Sequence, residues 1–426
     1  MKVVSLLALL LLISVNALEY TGHELVLNDA KSTIDGETVS STTKNGVSYS
    51  NSVLKITESG TYILSGTLNG QLSVSVSGEI DLVLNGVTIK SSNTNAVDIV
   101  KAYEMDSSSS MSPSTAKKLD FTKAGAKIII ADGSTNTISG AKSSSKDGAI
   151  HSAVTILFTG ETKGDGVLYV TGTSEGIEVE KHFLVNGGIL NVAAQDDGVN
   201  AKTDNVAVVY IKGGKVLVNS GLGNEGDGID SNGYIIVEGG EIISSAKPGA
   251  DSGLDSNKGI YINGGRVYAT GSSMDMAEDG SSQPTMNLVF SSNVAVSSTV
   301  VIKDSNGNEV ISYCANKADF ISGAGRNTYA AAIVTDTTFK ANSVYHLYVD
   351  GVQYGYSSND KVRPGPPGSQ SSSSSSSGTL YSDFTLGSGA KYGLSVSISI
   401  FSMGTIFTIS SALMNSYIIY FDLAYY

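Results

Sequence analysis

The chain has 426 residues, enough for two or three average domains or one long repeat array, and 40 acidic against 27 basic residues give it a net charge of -13. That balance excludes a nucleic-acid binder. A single cysteine, Cys314, excludes an internal disulfide framework, four scattered histidines leave no zinc motif of the H-x-x-H kind, and the absence of Trp removes the usual flat platforms for stacking sugars. Oxygen ligands and polar recognition are what remain.

In chain order, Met1-Lys2 followed by the apolar run from Ser5 to Ile13 and by Val15-Asn16-Ala17 reads as a signal peptide over 1–17, which places the mature protein outside the cell. Residues 18–284 read as one repeat domain, interrupted at Ala102 to Lys123 by a polar inserted loop that contains Ser107 to Ser110. Residues 285–362 read as a small β cap or sandwich, with Lys303 to Glu309 turning between two strand-like runs. Pro364 to Gly368 and the serine run Ser371 to Ser377 make 363–378 a linker. The last segment, 379–426, carries an uncharged apolar stretch from Leu394 to Phe421. Its length leaves three readings open: a membrane span, a cleaved lipid-anchor signal behind Gly387-Ser388-Gly389-Ala390, or a final pair of β-strands.

Glycine pairs announce the repeat. Gly187-Gly188, Gly213-Gly214, Gly239-Gly240 and Gly264-Gly265 recur at intervals of about 25 residues, each flanked by β-branched runs, so each unit reads strand, tight turn, strand. A fixed period in the twenties without a helical pattern predicts a β-solenoid whose neighbouring coils share one core. Between the glycine pairs stands a second motif: Asp197-Gly198-Val199-Asn200, Asp227-Gly228-Ile229-Asp230 and Ser252-Gly253-Leu254-Asp255. Weaker copies occur at Glu175-Gly176-Ile177-Glu178 and Asp147-Gly148-Ala149-Ile150.

Stacked in register, these copies form two carboxylate columns about 4.8 Å apart from coil to coil. One holds Asp147, Glu175, Asp197 and Asp227; the other holds Glu178, Asn200, Asp230 and Asp255, with Asp196 and Asp251 alongside. At an effective dielectric near 20, each adjacent like-charged pair costs about 3.5 kcal/mol, which calls for a counter-ion. Lysines in these units are few, whereas calcium takes six to eight oxygens from carboxylates, Asn side chains and carbonyls. The competing reading is that Asp-Gly steps only mark turns.

The same residues carry a family resemblance. Ser59-Gly60-Thr61-Tyr62-Ile63-Leu64-Ser65-Gly66, Leu84-Asn85-Gly86-Val87-Thr88-Ile89, Ala131-Asp132-Gly133, Asp196-Asp197-Gly198-Val199 and Gly226-Asp227-Gly228-Ile229-Asp230 resemble the secreted, calcium-binding, carbohydrate-binding β-helix family of cellulolytic bacteria, over roughly Tyr20 to Asp360. The resemblance implies an all-β fold, a right-handed parallel β-helix (solenoid) with a small C-terminal β cap or sandwich. It also implies surface calcium (Ca2+) and binding of cellulose and acidic glycans such as polygalacturonate. That family is similar in turn to β-helix pectate lyases with a D-D-x-x-D calcium cluster, which Asp196-Asp197-Gly198-Val199-Asn200 matches except that Asn200 replaces the final Asp.

A lyase needs a base at the C5 proton, and Lys202 and Lys215 qualify only by proximity in sequence. Three functions follow: a monomeric, non-catalytic polysaccharide binder that uses calcium, a calcium-dependent polysaccharide lyase, or a calcium-stabilised adhesin stalk. The metal ligands expected are Glu175, Glu178, Asp196, Asp197, Asn200, Asp227, Asp230, Asp251 and Asp255. No catalytic residue is assigned, and the glycan-contacting residues are open.

Overall fold

A computed structural model describes residues 20–29, 31–106, 110–247, 251–271, 275, 277–278, 280–314, 328–341 and 343–353, together with the short strands Gln370–Ser371 and Asp383–Leu386. The expected signal peptide and the apolar tail lie outside these residues. The chain divides into Met1–Gly389 and Ala390–Tyr426, and all that follows concerns the first unit.

Three sheets of 15, 9 and 6 strands account for almost all of the regular structure. In the middle of the largest, the long strands His182–Ala194, Val208–Asn219, Tyr234–Ser245 and Gly259–Gly271 lie side by side and parallel. Their apolar residues fall into columns: Val185, Ile211, Val237 and Ile262 are paired in register from strand to strand, and each is at most 1% exposed. Each such aliphatic side chain contributes about 1.5–3 kcal/mol when withdrawn from water, so a one-residue slip would turn the whole column outward. The 9-stranded sheet contributes to the same core from the opposite side, through Ile177, Val199, Ile229 and Leu254 among others.

The glycine pairs are not hairpin turns. Each long strand runs straight through its pair, and the ladder absorbs the pair as a register shift, between Asn186 and Ile189 in one repeat and between Glu238 and Glu241 in another. The reason is the neighbour: a strand held in parallel register on both sides cannot double back. The second glycine sits at positive φ, 79° at Gly214, where a Cβ would also meet backbone atoms of Gly187 and Gly188 at 2.8 Å.

The expected right-handed parallel β-helix (solenoid) with a small C-terminal β cap or sandwich is overturned by the strand order. The largest sheet is mixed. At one end His23–Leu27 pairs antiparallel with Thr33–Ile34; at the other, Thr328–Thr335 pairs antiparallel with both Gly259–Gly271 and Met286–Ala295. Strands expected in a cap are therefore built into the main sheet, where they satisfy an edge that a parallel stack would leave open. The 6-stranded sheet is antiparallel and lies on the outer face of the largest sheet. There Val300, Ile302 and Leu347 share a second core with Leu217, Ile243 and Tyr268. The architecture is all-β and sandwich-like, with sheets layered about two cores.

Within the inserted segment, residues 110–123 pack against the main sheet. Ala116, Leu119 and Phe121 pack on Leu184, Tyr210 and Ile236, and Glu104 accepts hydrogen bonds from Thr155 N and Oγ1 at 2.6 and 2.8 Å.

Candidate carboxylate site

The 9-stranded sheet is built from short strands that repeat an apolar, polar, apolar-or-small triplet: Val97-Asp98-Ile99, Ile150-His151-Ser152, Ile177-Glu178-Val179, Val199-Asn200-Ala201, Ile229-Asp230-Ser231 and Leu254-Asp255-Ser256. The outer residues of each triplet point into the core, and the middle one points out, since alternate side chains leave a strand on opposite faces. Pairing aligns the middle residues in a single column: Asp98, His151, Glu178, Asn200, Asp230, Asp255. The second carboxylate column expected from the sequence is therefore present. Asp98 and His151 extend it and were missed, although the triplet pattern carries them.

The expected copy at Asp147 is out of phase by one residue. Gly148 pairs with Glu175 and His151 with Glu178, so Ile150 faces inward and Asp147 falls before the strand. Asp147 instead donates its backbone N–H to Glu178 Oε2 at 2.5 Å.

The Asp-Gly steps are not left-handed turns either. Gly198 and Gly228 have ordinary φ, and what they provide is space: a Cβ at Gly228 would meet Ser244 Oγ at 2.0 Å and the Gly253 carbonyl at 2.4 Å. Successive repeats approach too closely for any side chain there. That approach brings the flanking carboxylates together. Asn200 Nδ2 donates to Glu175 Oε1 at 2.9 Å and to Asp197 Oδ2 at 3.3 Å, Asp227 N donates to Asp197 Oδ1 at 2.7 Å, and Ser252 N donates to Asp227 Oδ1 at 2.5 Å. Asp251 joins through Gly226 N, which it accepts at 3.0 Å.

Burial first, and then mutual repulsion, raises the proton affinity of this group. Glu175 is pushed up to about 9, Asp227 to about 8, Asp197 and Asp230 to about 7, and Asp255 to about 6; Asp196 is also raised. Two buried oxygens in the middle of the group, Glu175 Oε2 and Asn200 Oδ1, have no hydrogen-bond partner. Unsatisfied acceptors among buried carboxylates suit a bound cation, because an ion supplies what neither water nor a donor supplies there.

Of the nine expected ligands, the structure gathers Glu175, Asp197, Asn200, Asp227, Asp230, Asp251 and Asp255, with Asp196 at the margin. Glu178 belongs elsewhere. It is fully buried and pairs with Lys202, while Lys202 also reaches Glu180 at 3.5 Å. Burial alone would lower the Lys202 proton affinity, but Glu178 and Glu180 outweigh it and hold the ammonium above its ordinary range. Apart from this column lies a polar cleft of about 540 Å³, whose lining includes Asn51, Asn69, Gln71, Asn93 and Thr94. No helix among the described residues is long and apolar enough to cross a membrane.

Residues 50–109 and 105–344 match a family model described as carbohydrate-binding domain-containing protein. No curated protein matches the sequence. A solved structure described as the polysaccharide lyase-like protein from C. thermocellum, gadolinium derivative, is similar at 22% identity, over 57% of this chain and 92% of that one, with a TM-score of 0.38.

Proposed function

The chain belongs to the family of carbohydrate-binding domain-containing proteins, and we infer that its polysaccharide-binding surface is organised by calcium held on the carboxylate column. Glu175, Asp197, Asn200, Asp227 and Asp230 supply the inner oxygens, and Asp251 and Asp255 add charge at the margin. The observation that carries this reading is the pair of partnerless buried oxygens, Glu175 Oε2 and Asn200 Oδ1, inside a set of carboxylates that burial and repulsion drive toward protonation. A hard divalent cation relieves both at once.

The polymer in this proposal is an acidic glycan such as polygalacturonate. A chain of net charge -13 repels a polyuronate unless an ion bridges the two sets of carboxylates. Binding without turnover is favoured over the lyase alternative by Lys202, which Glu178 and Glu180 hold protonated, whereas a base must be free to accept the C5 proton.

Calorimetric titration of metal-stripped protein with calcium and then with polygalacturonate, with ultraviolet absorbance followed for unsaturated product, tests the reading. Calcium binding, glycan binding that chelator abolishes, and no absorbing product are expected. Product formation would establish the lyase. Glycan binding that survives chelator would remove calcium from recognition, and calcium binding without glycan binding would leave the ion a stabiliser of the sheet, as in a stalk.

A further inference from the structure

At its His151 end the same column changes chemistry. One ligand atom from each of His151, Glu178 and Glu180 lies within 4.8 Å of the others. His151 is 3% exposed, and its Nδ1 stands 2.8 Å from Asp98 Oδ1. Asp98 also accepts from Lys146 Nζ at 2.8 and 2.7 Å. Asp98 thus holds the Nδ1 edge of the ring and leaves Nε2 on the side of Glu180. Nε2 lies 3.9 Å from Glu180 Oε1, beyond hydrogen-bond reach.

Glu178 is held just as firmly. Its Oε2 accepts from the backbone N–H of Asp147 at 2.5 Å and of Gly148 at 3.3 Å, which leaves Oε1 directed at the Lys202 ammonium. Two ligands are thus fixed by outer partners, and a third, Glu180, stands at the rim with its side chain 36% exposed. Metal-ligating histidines characteristically donate their second nitrogen to a carboxylate, and His151 has that partner in Asp98. In the space between the ligands the charge is supplied by Lys202, on a flexible stem 35% exposed and able to swing into water.

We propose that His151 Nε2, Glu178 Oε1 and Glu180 form a second metal site, for a divalent cation of borderline softness such as Zn2+, which displaces the Lys202 ammonium. One imidazole nitrogen with two carboxylates suits this class, whereas the oxygen-only group at Asp197 and Asp227 suits calcium. The proposal does not rest on the calcium reading, and Lys202 argues against turnover in the protein with no ion at His151.

The test is titration of the full-length, calcium-saturated protein with Co2+, followed by its visible absorption. A saturable spectrum at one equivalent is expected. It is absent in His151→Gln, weakened more than about tenfold in Glu180→Gln, and unchanged in Asp230→Asn. Lys202→Met tightens binding about fivefold, the equivalent of one partly exposed ion pair removed as competitor. That variant decides the matter if His151→Gln fails to fold. No spectrum at millimolar Co2+ would overturn the proposal and assign His151 to an ion pair bridging Asp98 and Glu180. An undiminished spectrum in His151→Gln, or unchanged or weaker binding in Lys202→Met, would equally overturn it.

Discussion

Two stretches of the 9-stranded sheet, a few repeats apart, solve opposite electrostatic problems. At Asp98 the carboxylate meets Lys146 at 2.7 Å and His151 at 2.8 Å, and its proton affinity ends below the ordinary value despite burial. At Glu175, Asp197, Asp227, Asp230 and Asp255 the stacked repeats bring carboxylate to carboxylate, and the affinities rise. Both stretches are parallel ladders; what differs is the identity of the neighbour one repeat away. Parallel stacking in register multiplies whatever stands at the outward position, so a repeated Asp becomes an unpaired charge row, whereas Asp98 stacks on His151 and receives Lys146 from outside the ladder.

The comparison can be broken most forcefully by pH. In the folded state Glu175, Asp197, Asp227 and Asp230 hold protons up to about pH 7–9, whereas unfolded they release them near 4. Above that value the unfolded chain binds fewer protons, so their contribution to stability is complete below about pH 4 and is lost as pH rises through 7–9. Scanning calorimetry in chelator should show a melting temperature that falls steadily between those limits, and calcium should abolish the fall. A flat profile without metal would mean that the acidic stretch is compensated after all. Asp98 has the opposite sign: its contribution is present above pH 4 and lost in more acid solution.

Asp98→Asn attacks the compensated stretch. It leaves Lys146 and His151 without their anion in a site where Asp98 is 7% exposed, and it should cost about 3–5 kcal/mol in urea unfolding, with or without calcium. A loss below 1 kcal/mol would show that the pair is solvated. Asp230→Asn attacks the other stretch, and its sign should reverse with metal. In chelator at pH 8 it removes repulsion from Asp255 and Asp227 and should stabilise by about 1–3 kcal/mol; in calcium it should destabilise through a lost ligand. The same sign in both conditions would sever the link between the acidic stretch and calcium. The smallest effect belongs to Lys142→Ala, whose 3.3 Å contact with Asp147 is exposed on both sides and should be worth less than about 1 kcal/mol by thermal melting.

How much of this was legible in the sequence follows from what repetition can and cannot encode. The period of the glycine pairs and the alternation of Ile, Val and Leu with polar residues determined an all-β chain of repeated strands. The recurring Asp-Gly-apolar-Asp motif determined that Glu178, Asn200, Asp230 and Asp255 share a column, because residues at one phase of a repeat must stand above one another.

Only the tertiary structure decided the remainder. Whether a glycine pair turns the chain or is absorbed as a bulge depends on the strands beside it. Whether the stack ends in a separate cap or in antiparallel strands of its own sheet depends on which edge is left open. Asp98 carries no Asp-Gly motif, and the Asp-Gly copy before His151 is out of phase by one residue, so the pairing decides that His151 stands against Glu178. The division of one acidic row into a carboxylate-only group and a histidine-containing one follows from where Lys146 and Lys202 reach. Long flexible side chains from other parts of the repeat set that reach, and no spacing in the sequence records it.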